Sequence, residues 1–205
     1  TQVADALHQL EIFLNEESDL PALIRFGLAH AQFETIHPFL DGNGRMGRLL
    51  VKFLLCRDEI LSKPVLYISH YLMRHRARYY DLLQATREDG DWESWLNFFL
   101  TGIYEVSNEA SATARKIVDL REAHRESVTD SFGRAAGNGL KLLEHLFRMP
   151  VVTVQTVAAF LDLTYTGASN LVNKLEENGL LNEITGQSRN RVFRYEPYIA
   201  LFSEG

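Results

Sequence analysis

The chain is poor in cysteine, the residue on which disulfide-rich proteins and many zinc sites depend. Its single cysteine, Cys56, has no second cysteine to pair with. A reducing, cytoplasmic setting is therefore the default expectation. The seven histidines are scattered without C-x-x-C or H-E-x-x-H spacing, so the sequence predicts no zinc site.

The chain also lacks an apolar run close to the roughly 20 residues that span a bilayer. No signal peptide is expected either, because Thr1 opens directly into a polar amphipathic segment. We therefore expect no membrane contact. Since the chain does not begin with Met, we expect it to be part of a longer protein.

The chain has fewer basic than acidic residues. The 27 acidic residues outnumber the 21 basic ones, and the net charge of −6 argues against non-specific nucleic-acid binding by the whole chain. With 46% hydrophobic and 23% charged residues, the composition is that of an ordinary globular protein. Its 205 residues are enough for one domain or two small ones.

What the sequence does contain is one dense polar stretch between two apolar helical patterns. The stretch spans residues 37–48 and reads His-Pro-Phe-Leu-Asp-Gly-Asn-Gly-Arg-Met-Gly-Arg. Apolar residues recur at helical spacing in residues 23–31 before it and 49–54 after it. The stretch is therefore predicted to be an interhelical loop and the first turn of the second helix. Pro38 favours an extended His37, which would end the first helix there.

The residue types in this stretch suit a phosphate site. Gly42 and Gly44 can take positive φ and lack a Cβ, so backbone N–H groups can form an anion-binding concavity at the helix start. Arg45 and Arg48 are three residues apart and leave the same helix face. Cations at a helix N-terminus are unfavourable because they oppose the macrodipole. Their presence here is therefore best explained by an anion that binds at the same site. Asp41 can hold Mg²⁺, which combines one or two carboxylates with phosphate oxygens and water.

A base stands next to this predicted phosphate site. The imidazole of His37 can accept a proton from an attacking hydroxyl near neutral pH. The structural alternative is a helix-ending histidine that only bonds a backbone carbonyl. The glycines, carboxylate and arginines that follow immediately favour the base.

The stretch matches the signature H-x-F-x-D/E-G-N-G-R-x-x-R of the Fic family at every specified position. The chain resembles that family over about its first hundred residues, through segments 79–84 and 90–93. The resemblance implies an all-helical fold that binds Mg·ATP. It also implies transfer of AMP to a Ser, Thr or Tyr hydroxyl of a target protein, with release of pyrophosphate.

The resemblance also assigns residue roles. His37 would be the general base, Asp41 the Mg²⁺ ligand, and residues 42–44 the holders of the α- and β-phosphates. Arg45 and Arg48 would hold the distal phosphates. The residues expected at the nucleotide are Asp41, Gly42, Asn43, Gly44, Arg45, Met46, Gly47 and Arg48, with Tyr79 and Tyr80 near the adenosine.

Partners follow from the same resemblance. We expect a hydroxyl-bearing target protein, an antitoxin or inhibitory segment outside this chain, and a second copy in a homodimer. Upstream, Fic proteins can carry a β-hairpin flap and sometimes an inhibitory helix. The family's inhibitory motif, Ser or Thr followed after three residues by Glu and then Gly or Asn, is not found in this sequence. Related domains transfer phosphate, UMP or phosphocholine, but Gly42 and the two arginines fit AMP transfer best.

Beyond the motif, the pattern stays helical. Residues 62–64 are predicted to end the motif helix, and Ser69 to cap a helix running through Thr86. Asp91 is the predicted N-cap of a long helix containing Trp95. Three arginines are predicted to form a solvated helix face, with one of them reaching the nucleotide or the target as the alternative: Arg74, Arg76 and Arg78.

The C-terminal part shows a different order of elements. Three short helical patterns, the second capped by Thr153, precede two strand-like pieces at 181–185 and 191–195. This order resembles a winged helix-turn-helix domain. Six basic against seven acidic residues from 136 to 205 give a net charge of −1, which favours a protein-interaction or dimerisation module over a DNA reader.

The predicted fold class is mainly α, a Fic-type helical bundle followed by a small winged helix-turn-helix domain. The predicted domains are a nucleotide-transfer domain (1–104), a connecting helix and linker (105–135) and a winged-helix domain (136–205). The predicted function is protein adenylylation. The alternative is a DNA-binding regulator whose Fic-like domain senses nucleotide.

Overall fold

The computed structural model describes residues 2–61 and 66–202, and the predicted mainly α class is confirmed. It divides into two compact units, Thr1–Ser111 and Ala112–Gly205. The helices of the first unit are α1 (Gln2–Asn15), α2 (Ala22–Ile36), α3 (Asn43–Arg57), α4 (Ile68–Arg74), α5 (Arg76–Glu88) and the first part of α6 (Trp92–Ser131). The motif helix was predicted to end at residues 62–64, which lie outside the described residues, but it already ends at Arg57.

The core of the first unit combines aromatic and aliphatic side chains. Its largest fully buried side chains are Phe26, Leu54, Leu55, Ile68, Leu72, Trp95 and Phe99. Each contributes roughly 1.5–3 kcal/mol by leaving water. The Trp95 indole N–H donates to the carbonyl of Gly27 at 2.9 Å, and His30 stacks on the same indole with ring centroids 5.8 Å apart. This core fixes α2, whose last residues lead into the polar stretch.

The helix predicted to start at Ser69 differs in the structure. Its N-cap is Tyr67, two residues earlier, so it begins at the buried Ile68, and Ser69 lies inside it rather than capping it. It then breaks at His75, whose φ of −106° and ψ of 35° leave the helical region and separate α4 from α5. Side-chain periodicity continues across this bend, which is why the sequence pattern does not reveal it. The predicted N-cap of α6 is confirmed, since Asp91 Oδ1 accepts from the Ser94 N–H at 3.1 Å.

The second unit combines short helices with a small antiparallel sheet. After the rest of α6 and a 3₁₀ turn at Gly133–Ala135 come α7 (Ala136–Leu146), β1 (Val151–Thr153), α8 (Val154–Leu161), α9 (Tyr165–Glu177), β2 (Asn182–Glu183), β3 (Val192–Arg194) and α10 (Glu196–Ala200). The strand order is β1-β3-β2, with Val152 opposite Phe193. Thr153 caps α8 as predicted, in a reciprocal pair with Thr156.

The core of this second unit includes residues from the predicted linker. Val128 and Phe132 are buried together with Leu142, Val172 and Phe193. The C-terminal part of α6 thus belongs to the second core. The winged-helix assignment and the predicted domain limits stay predictions. Across residues 2–61 and 66–202, no helix is both long and apolar enough to cross a membrane.

Candidate active site

The histidine of the polar stretch sits where α2 ends. His37 adopts the left-handed conformation, with φ 50° and ψ 56°, and its N–H donates to the carbonyl of Phe33 at 3.0 Å. The predicted extended backbone is therefore wrong, although the helix does end where predicted. A left-handed residue after the last helical turn is a common helix stop, and here it satisfies a terminal carbonyl.

The ring of His37 contacts the end of its own helix. Its Nδ1 lies 3.4 Å from the main-chain carbonyl oxygen of Glu34. A carbonyl oxygen can only accept a hydrogen bond, so this contact favours the neutral tautomer that carries its proton on Nδ1. In that tautomer Nε2 keeps its lone pair, which is the form that a general base requires.

Asn43 closes the loop that follows. Its side chain is 2% exposed and pairs with the main chain of Phe39 in both directions. The Phe39 N–H donates to Oδ1 at 2.8 Å, and Nδ2 donates to the Phe39 carbonyl at 2.6 Å. The amide thus holds the loop closed through both of its polar atoms, while the backbone N–H of Asn43 remains to meet a ligand.

The start of α3 presents its backbone N–H groups. Gly42 precedes the helix in the left-handed conformation, with φ 85° and ψ 7°, which glycine adopts without strain. The first intrahelical bond runs from the Met46 N–H to the Gly42 carbonyl at 3.0 Å. The N–H groups of residues 43–45 come before that bond and lack a helical acceptor. Such a terminus favours an anion.

Two arginines stand beside these N–H groups in different surroundings. Arg45 forms an ion pair with Asp41 at 3.5 Å between exposed side chains, a contact worth little in water. Arg48 lies against the backbone, because a Cβ on Gly44 would be only 3.0 Å from its Nη1. Gly44 itself is helical, so its role is to allow this close approach rather than to supply positive φ.

These groups surround a cavity of about 330 Å³. Its lining residues are His37, Leu40, Asp41, Gly42, Asn43, Gly44, Arg45, Arg48, Met73, Arg76 and Tyr80. The structure therefore brings together most of the residues that the sequence placed at the nucleotide. A larger cavity, of about 470 Å³, lies between α1, α2 and the start of α6, and its lining carries no titratable side chain.

Three of the predicted nucleotide residues do not line the cavity. Tyr79 is 2% exposed, and its hydroxyl lies 3.0 Å from His30 Nε2 in the core. Successive helical residues do not share a face, so Tyr79 and Tyr80 cannot both reach the cavity. Met46 is exposed outside the lining, and Gly47 is buried against the carboxyl group of Glu34.

Comparison with known proteins identifies the polar stretch. The model of the Fic/DOC family matches residues 1–55, which include the whole of that stretch. Within the first unit, residues 1–55 therefore match a Fic domain. A protein adenylyltransferase Fic from Culex quinquefasciatus is 33% identical over 145 residues, covering 64% of this chain and 27% of that protein.

Other relatives agree. A protein adenylyltransferase Fic from Aedes aegypti is 42% identical over 71 residues, covering 35% of this chain and 13% of that protein. The chain thus spans about a quarter or less of these relatives' length. A solved Fic family protein from Desulfovibrio desulfuricans G20 superposes with a TM-score of 0.51 at 22% identity, covering 95% of this chain and 55% of that chain, and supports the fold alone.

Beneath the cavity of the Fic domain lies a buried polar cluster that sequence reasoning missed. Glu34 is 6% exposed, and burial raises the pKa of its carboxyl, while Arg48 and His37 oppose that rise. Burial lowers the pKa of His30 to about 4, so this imidazole is neutral at physiological pH. Glu34 precedes His37 by three residues on one helix, and that spacing was the available signal.

Residues from α4 and α5 form the far wall of the cavity. Met73 and Arg76 line it, and the Arg76 guanidinium lies 5.6 Å from the ring centroid of Tyr80. Arg76 precedes Tyr80 by four residues, so the pair shares one helix face. The sequence analysis predicted a solvated face for the three arginines of this region, with one of them reaching the nucleotide or the target as the alternative. Of the three, Arg76 lines the cavity.

The carboxylate available for a metal is Asp41. Its side chain is 95% exposed, lines the cavity, and forms an exchangeable ion pair with Arg45. Within the described ranges no cluster of three or more His, Cys, Asp or Glu side chains could hold a metal by itself. A single carboxylate fits Mg²⁺ that arrives with a phosphate ligand and water.

The second unit has polar surface but little free positive charge in its hairpin. Tyr165 is exposed at the start of α9. In the hairpin, Arg191 donates to Asn173 Oδ1 at 3.1 Å, and Arg194 pairs with Glu196. Arg191 and Arg194, two of the six basic residues of this part of the chain, are therefore engaged within the unit. DNA binding by this unit stays a prediction.

Proposed function

We propose that this Fic domain transfers AMP from Mg·ATP to a Ser, Thr or Tyr hydroxyl of a target protein and releases pyrophosphate. One observation carries the proposal: a histidine whose Nδ1 contacts a main-chain carbonyl shares a cavity with a helix N-terminus and three arginines. The relatives named above as adenylyltransferases support the same chemistry.

The reaction assigns a task to each group. His37 Nε2 takes the proton of the target hydroxyl, and the hydroxyl oxygen bonds to the α-phosphorus. The bond from the α-phosphorus to the oxygen bridging to the β-phosphate breaks, and pyrophosphate leaves with that oxygen. Charge on the phosphate oxygens is met by the N–H groups of residues 43–45 and by Arg45 and Arg48.

Asp41 would hold Mg²⁺ in this scheme. When bound, the ion neutralises negative charge on the phosphates. In exchange, Arg45 loses its contact with Asp41 and becomes available to a phosphate oxygen. That exchange costs little, because both side chains are largely exposed.

The adenosine would lie toward the α4–α5 wall. Tyr80 offers its ring there, and Arg76 beside it offers a planar cation that can stack on an aromatic face. Tyr79 would act indirectly, by anchoring α5 to the core through His30. We also propose a cytoplasmic setting, a target protein, an inhibitory partner outside this chain, and a homodimer. Labelling in cell extract would test the target, and size measurement would test the homodimer and the inhibitory partner.

The test is labelling with α-³²P-ATP and Mg²⁺ in the full-length protein, with cell extract as the source of targets. We expect a labelled protein band that His37→Ala removes, while ATP binding measured by calorimetry is retained. His70→Ala is the matched control, because His70 is exposed on α4 and does not line the cavity. Labelling that survives in His37→Ala would exclude His37 as the base.

The position of the label identifies the transferred group. Label from α-³²P-ATP but not from γ-³²P-ATP indicates AMP transfer. Label from γ-³²P-ATP alone would show phosphoryl transfer, and the proposal would then be wrong about the group transferred although right about the base.

A further inference from the structure

The contact that orients His37 is shared with a distant residue. The last carbonyl groups of a helix lack helical partners. The main-chain oxygen of Glu34, in the last turn of α2, accepts from His37 Nδ1 at 3.4 Å and also from Arg87 Nη2 at 3.0 Å. Arg87 lies 53 residues later in the sequence, near the end of α5.

Arg87 holds this turn at two points. Its Nε donates to the hydroxyl of Thr35 at 3.1 Å, and that hydroxyl donates to the Ala31 carbonyl at 2.9 Å. The planar guanidinium thus contacts two successive residues of α2, which fixes both the position and the direction of the Glu34 carbonyl. A lysine has no such fork, so its ammonium cannot reproduce both contacts in the same geometry.

The location of Arg87 separates it from the nucleotide. It does not line the 330 Å³ cavity, whose walls include Arg45, Arg48 and Arg76. A guanidinium at this place cannot act on the phosphates as those three can. Its contacts lead instead to the carbonyl that fixes the proton on His37 Nδ1.

We propose that Arg87 is a positioning residue for His37, and this rests on the proposed function of His37 as the base. By holding the Glu34 carbonyl, Arg87 keeps the imidazole in the tautomer and orientation that present Nε2 to the cavity. A cation near the C-terminal carbonyls also complements the dipole of α2. The competing account is a purely structural tie between α5 and α2.

The kinetic test uses the full-length protein and compares Arg87→Met, which keeps the apolar stem, with Arg87→Lys. Misplacing a catalytic group by a fraction of an ångström to one ångström costs up to about a hundredfold in rate. We expect kcat to fall by about ten- to a hundredfold in Arg87→Met, with an unchanged KM for ATP and partial recovery in Arg87→Lys. Arg78→Met is the matched control, since Arg78 lies on the same helix but contacts Phe98, and it should keep the wild-type kcat.

A second readout does not need activity. Long-range ¹H–¹⁵N spectra of the imidazoles, assigned with His37→Gln, should show the Nδ1–H tautomer of His37 in the wild type and a mixture in Arg87→Met. A lower melting temperature with unchanged kcat and unchanged tautomer would overturn the proposal and leave only the structural tie. If Arg87→Met does not fold, Arg87→Lys and Thr35→Ala carry the same comparison.

Different results would refute the proposed AMP transfer and the proposed role of Arg87. A wild-type protein that transfers no AMP would refute the proposed function, while the tautomer spectra would still decide whether Arg87 orients His37. Wild-type transfer that His37→Ala abolishes, together with full kcat in both Arg87 variants, would refute only the role of Arg87.

Discussion

Asn43 offers the sharpest test of how the loop is built. The sequence motif places it among the phosphate-binding residues, whereas in the structure its side chain is buried and pairs with the main chain of Phe39. Replacing it with Ala removes one donor and one acceptor from the loop. The two accounts then predict different outcomes for folding and for ATP binding.

The magnitude follows from the two hydrogen bonds. Each contributes about 1 kcal/mol net, so Asn43→Ala should lower the free energy of unfolding by about 2 kcal/mol. For a unit of this size, each kcal/mol moves the melting temperature by roughly 4–8 °C, so a drop of about 10 °C is expected. Asn43→Asp keeps the acceptor for the Phe39 N–H but sets a buried carboxylate oxygen against the Phe39 carbonyl, so its effect should be at least as large.

The assay is thermal unfolding followed by far-ultraviolet circular dichroism, with ATP affinity measured by calorimetry on the same samples. Asn108→Ala is the control, because Asn108 is exposed on α6. A loosened loop should weaken ATP binding by about tenfold, or about 1.4 kcal/mol. An unchanged melting temperature together with lost ATP binding would refute this reasoning and restore Asn43 as a direct phosphate ligand.

Two further predictions concern the buried polar cluster. Because burial lowers the pKa of His30 to about 4, the unfolded chain binds a proton at higher pH than the folded chain, and stability should fall by about 3 kcal/mol between pH of about 6.5 and about 4. Urea denaturation across that range should show a smaller change of unfolding free energy with pH in His30→Gln than in wild type. The raised pKa of Glu34 acts in the opposite sense, but Glu34 is present in both proteins and does not affect the comparison. An identical pH dependence in the two proteins would contradict the assignment. Gly47→Ala should destabilise the Fic domain by about 1–3 kcal/mol, because the added Cβ would clash with the buried carboxyl group of Glu34. Gly137→Ala on α7 meets nothing within 4 Å and should instead stabilise by about 0.5–1 kcal/mol, and equal melting temperatures for the two variants would show that the Glu34 side chain moves aside freely.

Much of the candidate site was readable from local sequence. The loop from His37 to Arg48 was predicted as an interhelical loop with a base, a carboxylate and an anion-binding helix start, and the cavity brings those groups together. The conformations were harder to infer, since a residue before proline usually prefers extended backbone whereas His37 adopts the left-handed form. Helix-stop geometry prevailed over that local preference because it satisfies the Phe33 carbonyl.

Local sequence was enough to predict most helices of the first unit and the chemistry of its polar stretch, because both depend on residue types at short spacing. The break between α4 and α5 and the long-range contacts of the site depend on tertiary packing. It buried Tyr79 in the core, turned Tyr80 and Arg76 to the cavity, and brought Arg87 to the carbonyl that orients His37. Such contacts join residues about fifty positions apart, and their formation depends on how α5 packs against α2 rather than on any pattern along the chain.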